Sequence, residues 1–332
     1  MLLCCVISYA QQPEGIEELR MAPRTNVITY DDENAIEHLR YDESPYYVSL
    51  MGDWEEERGV NGTSYSQEFE FPRDWKAFRV FFRFMASPGY GLFVGDKMVG
   101  VSHDGRAITE FDITDLLRFG KDNRLSLRFV GDDEGSLLEC GDKGLTGDCS
   151  ILIKPNLNVQ DFTLVTGYDP QSSTGSYSLD ANLFNFKKKG KSYLEIELWD
   201  TKGHQVDKVG KWCFFDQRNE INTTISGTLA DVLPWSAETP RLYTAVIRLY
   251  DEGKNLQDVV GTRFGFRTIT NGNGLTVNGK AITIKGIILN DLPSPLSAGD
   301  VKMLRGQMAQ MKCNNINAIR TRGHGPEDAK FY

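Results

Sequence analysis

From Trp54 to Asp251 the sequence is built of short runs in which apolar and polar residues alternate, broken every eight to twelve residues by Gly, Pro, Asn or Asp. A period of two places successive side chains on opposite faces of a strand, so each run reads as a β-strand with one buried face. Up to Pro155 the runs are SQEFEF, FRVFFRF, GYGLFV, KMVGVS, RLSLRF and SILIK, and their spacing predicts a β-sandwich. The second set is VQDFTLVTGY, GSYSLDANLFNF, KSYLEIELWD, HQVDKVGKWCFF, EINTTISG and RLYTAVIRLYD. Six or seven strands in about a hundred residues predict an immunoglobulin-like sandwich. Lys187 to Lys191 reads as a solvated hairpin turn, because the run is short and has no interleaved aromatic residues.

After Thr270 the pattern changes. LTVNGKAITIKGIIL holds a hairpin and then an almost continuous apolar strand, and Val301, Leu304, Met308 and Met311 recur at helical spacing before the β-like run INAIRT. Strand, helix and strand in that order are the opening of a parallel α/β unit whose strands expect cover on both faces. A chain of 332 residues has room for these two or three domains. The expected divisions are 11–155, 156–270 and 271–332.

With 37 basic against 46 acidic side chains, the formal charge of -9 has the wrong sign for a chain that must neutralise phosphates, which argues against a nucleic-acid partner. No apolar run approaches the ~20 residues of a membrane-spanning helix. The first ten residues, MLLCCVISYA, turn abruptly polar at Gln11 and read as the remnant of a secretory signal lacking its basic start, so export to the periplasm or beyond is expected, with a cytoplasmic chain as the other reading. In an oxidising compartment the Gly- and Asp-rich loop between Cys140 and Cys149 can close a disulfide; two unpaired thiols are the alternative. His38, His103, His204 and His324 are scattered and no CxxC occurs, so no metal site is expected, nor any cofactor.

Three stretches carry a resemblance to family 2 glycoside hydrolases of the β-galactosidase type. WSAETPRLYTAVIRLYDEGKNLQDVVGTRFGFRTI resembles the end of that family's immunoglobulin-like domain, with its Trp-Ser-x-Glu-x-Pro-x-Leu-Tyr run and closing Gly-Phe-Arg. Gly274 to Arg320 resembles the start of its (β/α)8 barrel. FEFPRDWKAFRVFFRF, VGVSHDGR and EFDITDLL resemble its jelly-roll sugar-binding domain, while PRTNVITYDDENA and LMGDW favour the β-galactosidase branch. The resemblance implies a mostly β chain: a jelly roll, an immunoglobulin-like sandwich and the first βαβ unit of an incomplete barrel.

It also implies candidate sugar contacts. Asp142 aligns with an aspartate that binds a cation and touches substrate, although a solvated turn aspartate is the plainer reading. Asn290 occupies one of the positions where the family places a histidine and a glutamate after the first barrel strand. His324 sits one residue out of register with a second sugar-contacting histidine. Arg320 ends the second barrel strand, at the face where barrel active sites lie, with a structural ion pair as its alternative role. Only EEERGVNGTS stands where the family inserts a long loop carrying a substrate-contacting asparagine.

Retaining glycoside hydrolysis needs two carboxyl groups ~5 Å apart. In this family they come from late barrel strands, and none is matched here, so no catalytic residue is assigned. The expectation is the front part of a β-galactosidase-like hydrolase, inactive alone, with a β-galactoside-type glycan as ligand and the remaining barrel or a second copy as partner. The alternatives are a non-catalytic carbohydrate-binding or scaffolding relative, and a ligand-free pair of sandwiches.

Overall fold

The computed structural model describes residues 27–31, 43–50, 54–59, 62–86, 90–102, 108–129, 145–187, 189–272, 274–289 and 298–321. The alternating runs form strands β1 (Tyr47–Ser49), β2 (Glu55–Gly59), β3 (Gly62–Glu70), β4 (Arg79–Ala86), β5 (Tyr90–Val94), β6 (Lys97–Ser102), β7 (Thr109–Asp112), β8 (Asp122–Phe129) and β9 (Leu145–Lys154). The second set gives β10 (Leu157–Asp169), β11 (Thr174–Asn185), β12 (Lys191–Trp199), β13 (Gln205–Phe214), β14 (Glu220–Leu229), β15 (Tyr243–Tyr250) and β16 (Leu256–Phe264). The tail adds β17 (Ile269–Asn271), β18 (Leu275–Val277), β19 (Lys280–Ala281), β20 (Gly286–Leu289), helix α1 (Ala298–Cys313) and β21 (Ala318–Thr321). The fold is mostly β, as the alternation predicts.

The described residues divide into two compact units: those within 54–76 and 81–149, and those within 27–50, 77–80 and 150–321. In the first, a five-stranded antiparallel sheet in the order β2-β3-β8-β5-β6 faces the β4–β7 pair. Phe81, Phe82, Phe84, Phe111, Leu125 and Leu127 are fully buried, and Phe84 stacks on Phe111 across the pair. Gly100 on β6 has to be glycine, because a Cβ there would stand 2.2 Å from the ring of Phe111.

In the second unit, the three-stranded sheet β10-β11-β14 and the four-stranded sheet β13-β12-β15-β16 close over one core. On β11, Tyr177, Leu179, Ala181 and Leu183 point inward; on β12, Leu194, Ile196 and Leu198 do the same. The closing Gly-Phe-Arg is explained by packing. Phe266 is buried against Tyr243 and Phe264, Gly265 leaves room for Trp235, whose Cβ would lie 2.6 Å from an added methyl, and Arg267 stacks 4.5 Å above the Trp235 ring.

Residues 27–31 and 43–50 pack with the second unit. The Tyr30 amide donates to the Val259 carbonyl at 2.8 Å, and the Thr29 hydroxyl donates to Asp258 at 2.7 Å. Asp258 also accepts from the Val159 amide at 2.8 Å. Burial pushes its carboxyl above the usual range, an effect that Lys154 and these hydrogen bonds partly offset. Lys154, itself fully buried, donates to the Val159 carbonyl at 2.9 Å.

After residue 270 the expected hairpin is present. Strands β17, β18 and β19 form a small antiparallel sheet. It is tied to the sandwich by Asn278, whose side chain accepts from the Thr268 amide at 3.0 Å and donates to the Trp235 carbonyl at 2.9 Å. The α/β unit therefore begins further on. β20 and β21 pair in parallel, with Gly286 opposite Ala318 and Leu289 opposite Thr321. On α1 Leu304 is buried and Val301, Met308 and Met311 are half-buried, so the expected apolar stripe is the helix's covered side.

Candidate functional site

Of the sugar-contact candidates, Arg320 is in β21, opposite Ile288 of β20. It is exposed and makes no ion pair among the described residues, so the structural role weighed for it is not seen there. Asp142, Asn290 and His324 lie outside the described residues, as do Cys140 and the signal-like start. Cys149 is buried. The structure thus brings none of these candidates together at described positions.

Two arrangements emerge instead, both in the second unit. The first is charged. Alternation along β12 sets Glu195 and Glu197 on the face opposite Leu194, Ile196 and Leu198, and register brings Lys208 across from Glu197 and Arg248 across from Glu195. Lys208 Nζ lies 2.9 Å from Glu195 and 2.8 Å from Glu197, and Arg248 donates to the second oxygen of Glu197. Both glutamates and Arg248 are buried.

Two carboxylates share one ammonium, and their electrostatics do not suit the acid of a retaining hydrolase. Burial works to raise the Glu197 carboxyl, and its bonds to Lys208 and Arg248 outweigh that and hold it below the usual range. Lys208 is pushed up in turn, chiefly by its hydrogen bonds to Glu197 and Glu195. A general acid must hold its proton near neutral pH, so Glu197 cannot be one. The cluster is an ion-pair network bridging three strands. The Glu-Ile-Glu spacing, two acids on one strand face, was the available signal for it.

The second arrangement is a groove of about 730 Å³ on the outer face of the β10-β11-β14 sheet, walled by Arg267, Thr268 and Ile269 where the chain leaves β16. Its floor is two cross-strand rows, Gly167-Ser176-Thr228 and Val165-Ser178-Ser226. The Ser226 hydroxyl donates to Ser178 at 3.0 Å, and Thr268 donates its hydroxyl to the Tyr168 carbonyl at 2.9 Å. Among the described residues, no carboxylate lines the groove. Sequence reading passed over it because outward hydroxyls on a strand are what a solvated face also shows.

The second sandwich can be set beside known proteins. Residues 157–267, nearly the whole of it, match the family model for glycosyl hydrolases family 2. The chain belongs to that family. Family 2 relatives agree over much greater lengths: a β-galactosidase of Priestia megaterium is 25% identical over 98% of this chain and 33% of its own length. A β-galactosidase of Pseudoalteromonas haloplanktis is 30% identical over 73% of this chain and 24% of its own. This family 2 chain thus spans a third or less of the length of these two relatives.

Solved family 2 structures share the fold. A Bacteroides cellulosilyticus member superposes with a TM-score of 0.70 at 21% identity, covering 81% of this chain and 35% of that one. A Bacteroides uniformis β-glucuronidase gives 0.70 at 21%, covering 81% and 34%. Among the described residues of this family 2 chain, no helix is long and apolar enough to cross a membrane, and no cluster of three His, Cys, Asp or Glu side chains is placed to hold a metal ion.

Proposed function

We propose that this chain is the sandwich framework of a β-galactosidase-type glycoside hydrolase, serving the hydrolysis of O-glycosyl bonds in carbohydrate metabolism without supplying the carboxylates that carry it out. The observation behind this reading is the uncovered state of the parallel pair. Ile288 is 59% exposed and Ile319 37% exposed, on strands of a type that normally has helices or further strands over both faces. A sandwich continuing into an open α/β layer is the form expected of a framework that carries a barrel. The β-galactosidase relatives support the substrate class, a β-galactoside-type glycan.

The test is the reading frame beyond the codon for Tyr332. An in-frame segment encoding further barrel strands with two late-strand glutamates is expected. A stop codon at that point overturns the reading in favour of a non-catalytic carbohydrate-binding or scaffolding relative, which the hydroxyl-lined groove would suit. Export of the chain is part of the proposal and rests on the apolar start with its abrupt polar boundary. Detection of the chain only in the cytoplasm after fractionation would remove that part and leave the rest intact.

A further inference from the structure

We propose that the groove on the β10-β11-β14 face binds an acidic oligosaccharide, its hydroxyl rows bonding the sugar and Arg267 taking the carboxylate. The choice of a sugar rests on the carbohydrate reading above; the charge and the place rest on the groove itself. It is an open groove of about 730 Å³, not an enclosed pocket, so an extended ligand would lie along it rather than be surrounded.

The floor is fitted for hydrogen bonding. Ser176 and Thr228 stand directly across from one another, and neither side chain has a hydrogen-bond partner among the described residues. Hydroxyls both donate and accept, which matches the mixed character of sugar hydroxyls. Gly167 keeps this row open, since a Cβ there would approach the Ser176 hydroxyl to 2.7 Å. Along a strand the two rows are two residues apart, roughly 7 Å, so an extended ligand can meet both.

The sign of the ligand comes from charge. The chain as a whole is acidic at -9, yet among the described residues no acidic side chain lines this groove and Arg267 is its one charged lining residue. Among the described residues Arg267 has no salt bridge; it is held by stacking on Trp235, which fixes the guanidinium plane and leaves its donors unused by carboxylates. A planar guanidinium with free donors suits a carboxylate bound in bidentate fashion. A neutral sugar would leave that capacity idle.

The experiment is calorimetric titration of the full chain with a uronic-acid trisaccharide, a neutral galactose trisaccharide and citrate as a non-sugar polyanion. The acidic trisaccharide is expected to bind saturably, roughly tenfold more tightly than either comparison, because a charge-assisted bond is added to the hydroxyl contacts. Arg267→Gln should weaken it by roughly tenfold or more. As Arg267 also packs on Trp235, a second variant guards against misfolding: Thr228→Glu on the exposed edge strand puts a carboxylate in the groove without touching the core, and should abolish binding. Equal affinity for the neutral sugar, equal affinity for citrate, no saturable binding, or binding indifferent to Thr228→Glu would each overturn the proposal. None of these outcomes bears on the reading frame beyond Tyr332, so the two readings fail separately.

Discussion

At the scale of single residues, the second sandwich is sensitive where charge is buried and where space is shortest. Glu197 holds Lys208 and Arg248 together. Replacing it by Leu leaves Arg248 buried without this partner, and breaking a buried pair costs about 3–5 kcal/mol. Urea unfolding of Glu197→Leu should show a loss of that order, while Lys208→Met should cost less, because the lysine side chain is 46% exposed and water can compensate. The pH dependence follows in sign. The Glu197 carboxyl is held below its ordinary value of 4.5 in the folded chain, so the folded state resists protonation there. Its contribution is fully present above that value and fades as pH falls through the lowered one. Glu197→Gln should therefore flatten the acid limb of a stability profile below about 4.5; an unchanged limb would show that other carboxylates carry it. Gly265→Ala is the steric counterpart. Its methyl would meet Cβ of Trp235, an atom anchored next to the backbone, and overpacking of this kind costs about 1–3 kcal/mol. A melting temperature equal to that of the parent chain would rule this packing out.

At the scale of elements, the tail separates into a part that is tied down and a part that is not. Asn278 bonds β17–β19 to the sandwich, whereas Ile284 at 60%, Ile288 at 59% and Met303 at 49% exposure leave the α/β unit largely uncovered. Amide exchange in β20 should be faster than in β12 and β15, whose residues are hydrogen-bonded on both sides or buried. Equal protection would mean that the faces of β20 are covered. Ending the chain after Ile282 should raise solubility by removing these surfaces, and cutting at Thr270 should be worse because it strips Asn278 from Thr268 and Trp235. This is also where legibility in the sequence ends. The strands were readable because a period of two fixes which face is buried, and the helix because Val301, Leu304, Met308 and Met311 repeat at its own period. The true tie-point of the tail was not, because Asn278 acts through a side chain meeting backbone 10 and 43 residues away. For the same reason the placement of residues 27–30 on the second sandwich was hidden: it depends on Asp258, 229 positions from Thr29. The groove was hidden by ordinariness, its serines and threonines being what any solvated strand carries.

At the scale of the whole molecule, the prediction is that this chain alone turns over no β-galactoside. Hydrolysis with retention needs one carboxylate to attack the anomeric carbon and a second, protonated carboxyl to release the leaving oxygen. The nearest pair of acids to consider is Glu195 and Glu197, which share the ammonium of Lys208. Their surroundings refuse them both roles. Glu197 is held ionised by Lys208 and Arg248 and cannot donate a proton, and a carboxylate tied to two cations in an ion-pair network is a poor nucleophile. Arg320 can orient an anion but transfers nothing, and it stands exposed on a two-stranded sheet. Losing general acid-base help costs about 100-fold to 10,000-fold, and losing the covalent step removes the remaining route, so the rate should lie at background. The measurement is aryl-β-galactoside turnover by the purified chain beside two double variants, Glu195→Gln with Glu197→Gln and Asp142→Ala with His324→Ala. Turnover well above buffer in the parent would defeat the prediction, and the variant in which it disappears would locate the catalytic groups. If the first double variant fails to fold, the pH profile of the parent decides in its place: activity carried by Glu197 would need its protonated form and so rise only as pH falls below 4.5, whereas a flat profile at the buffer rate leaves the chain a framework.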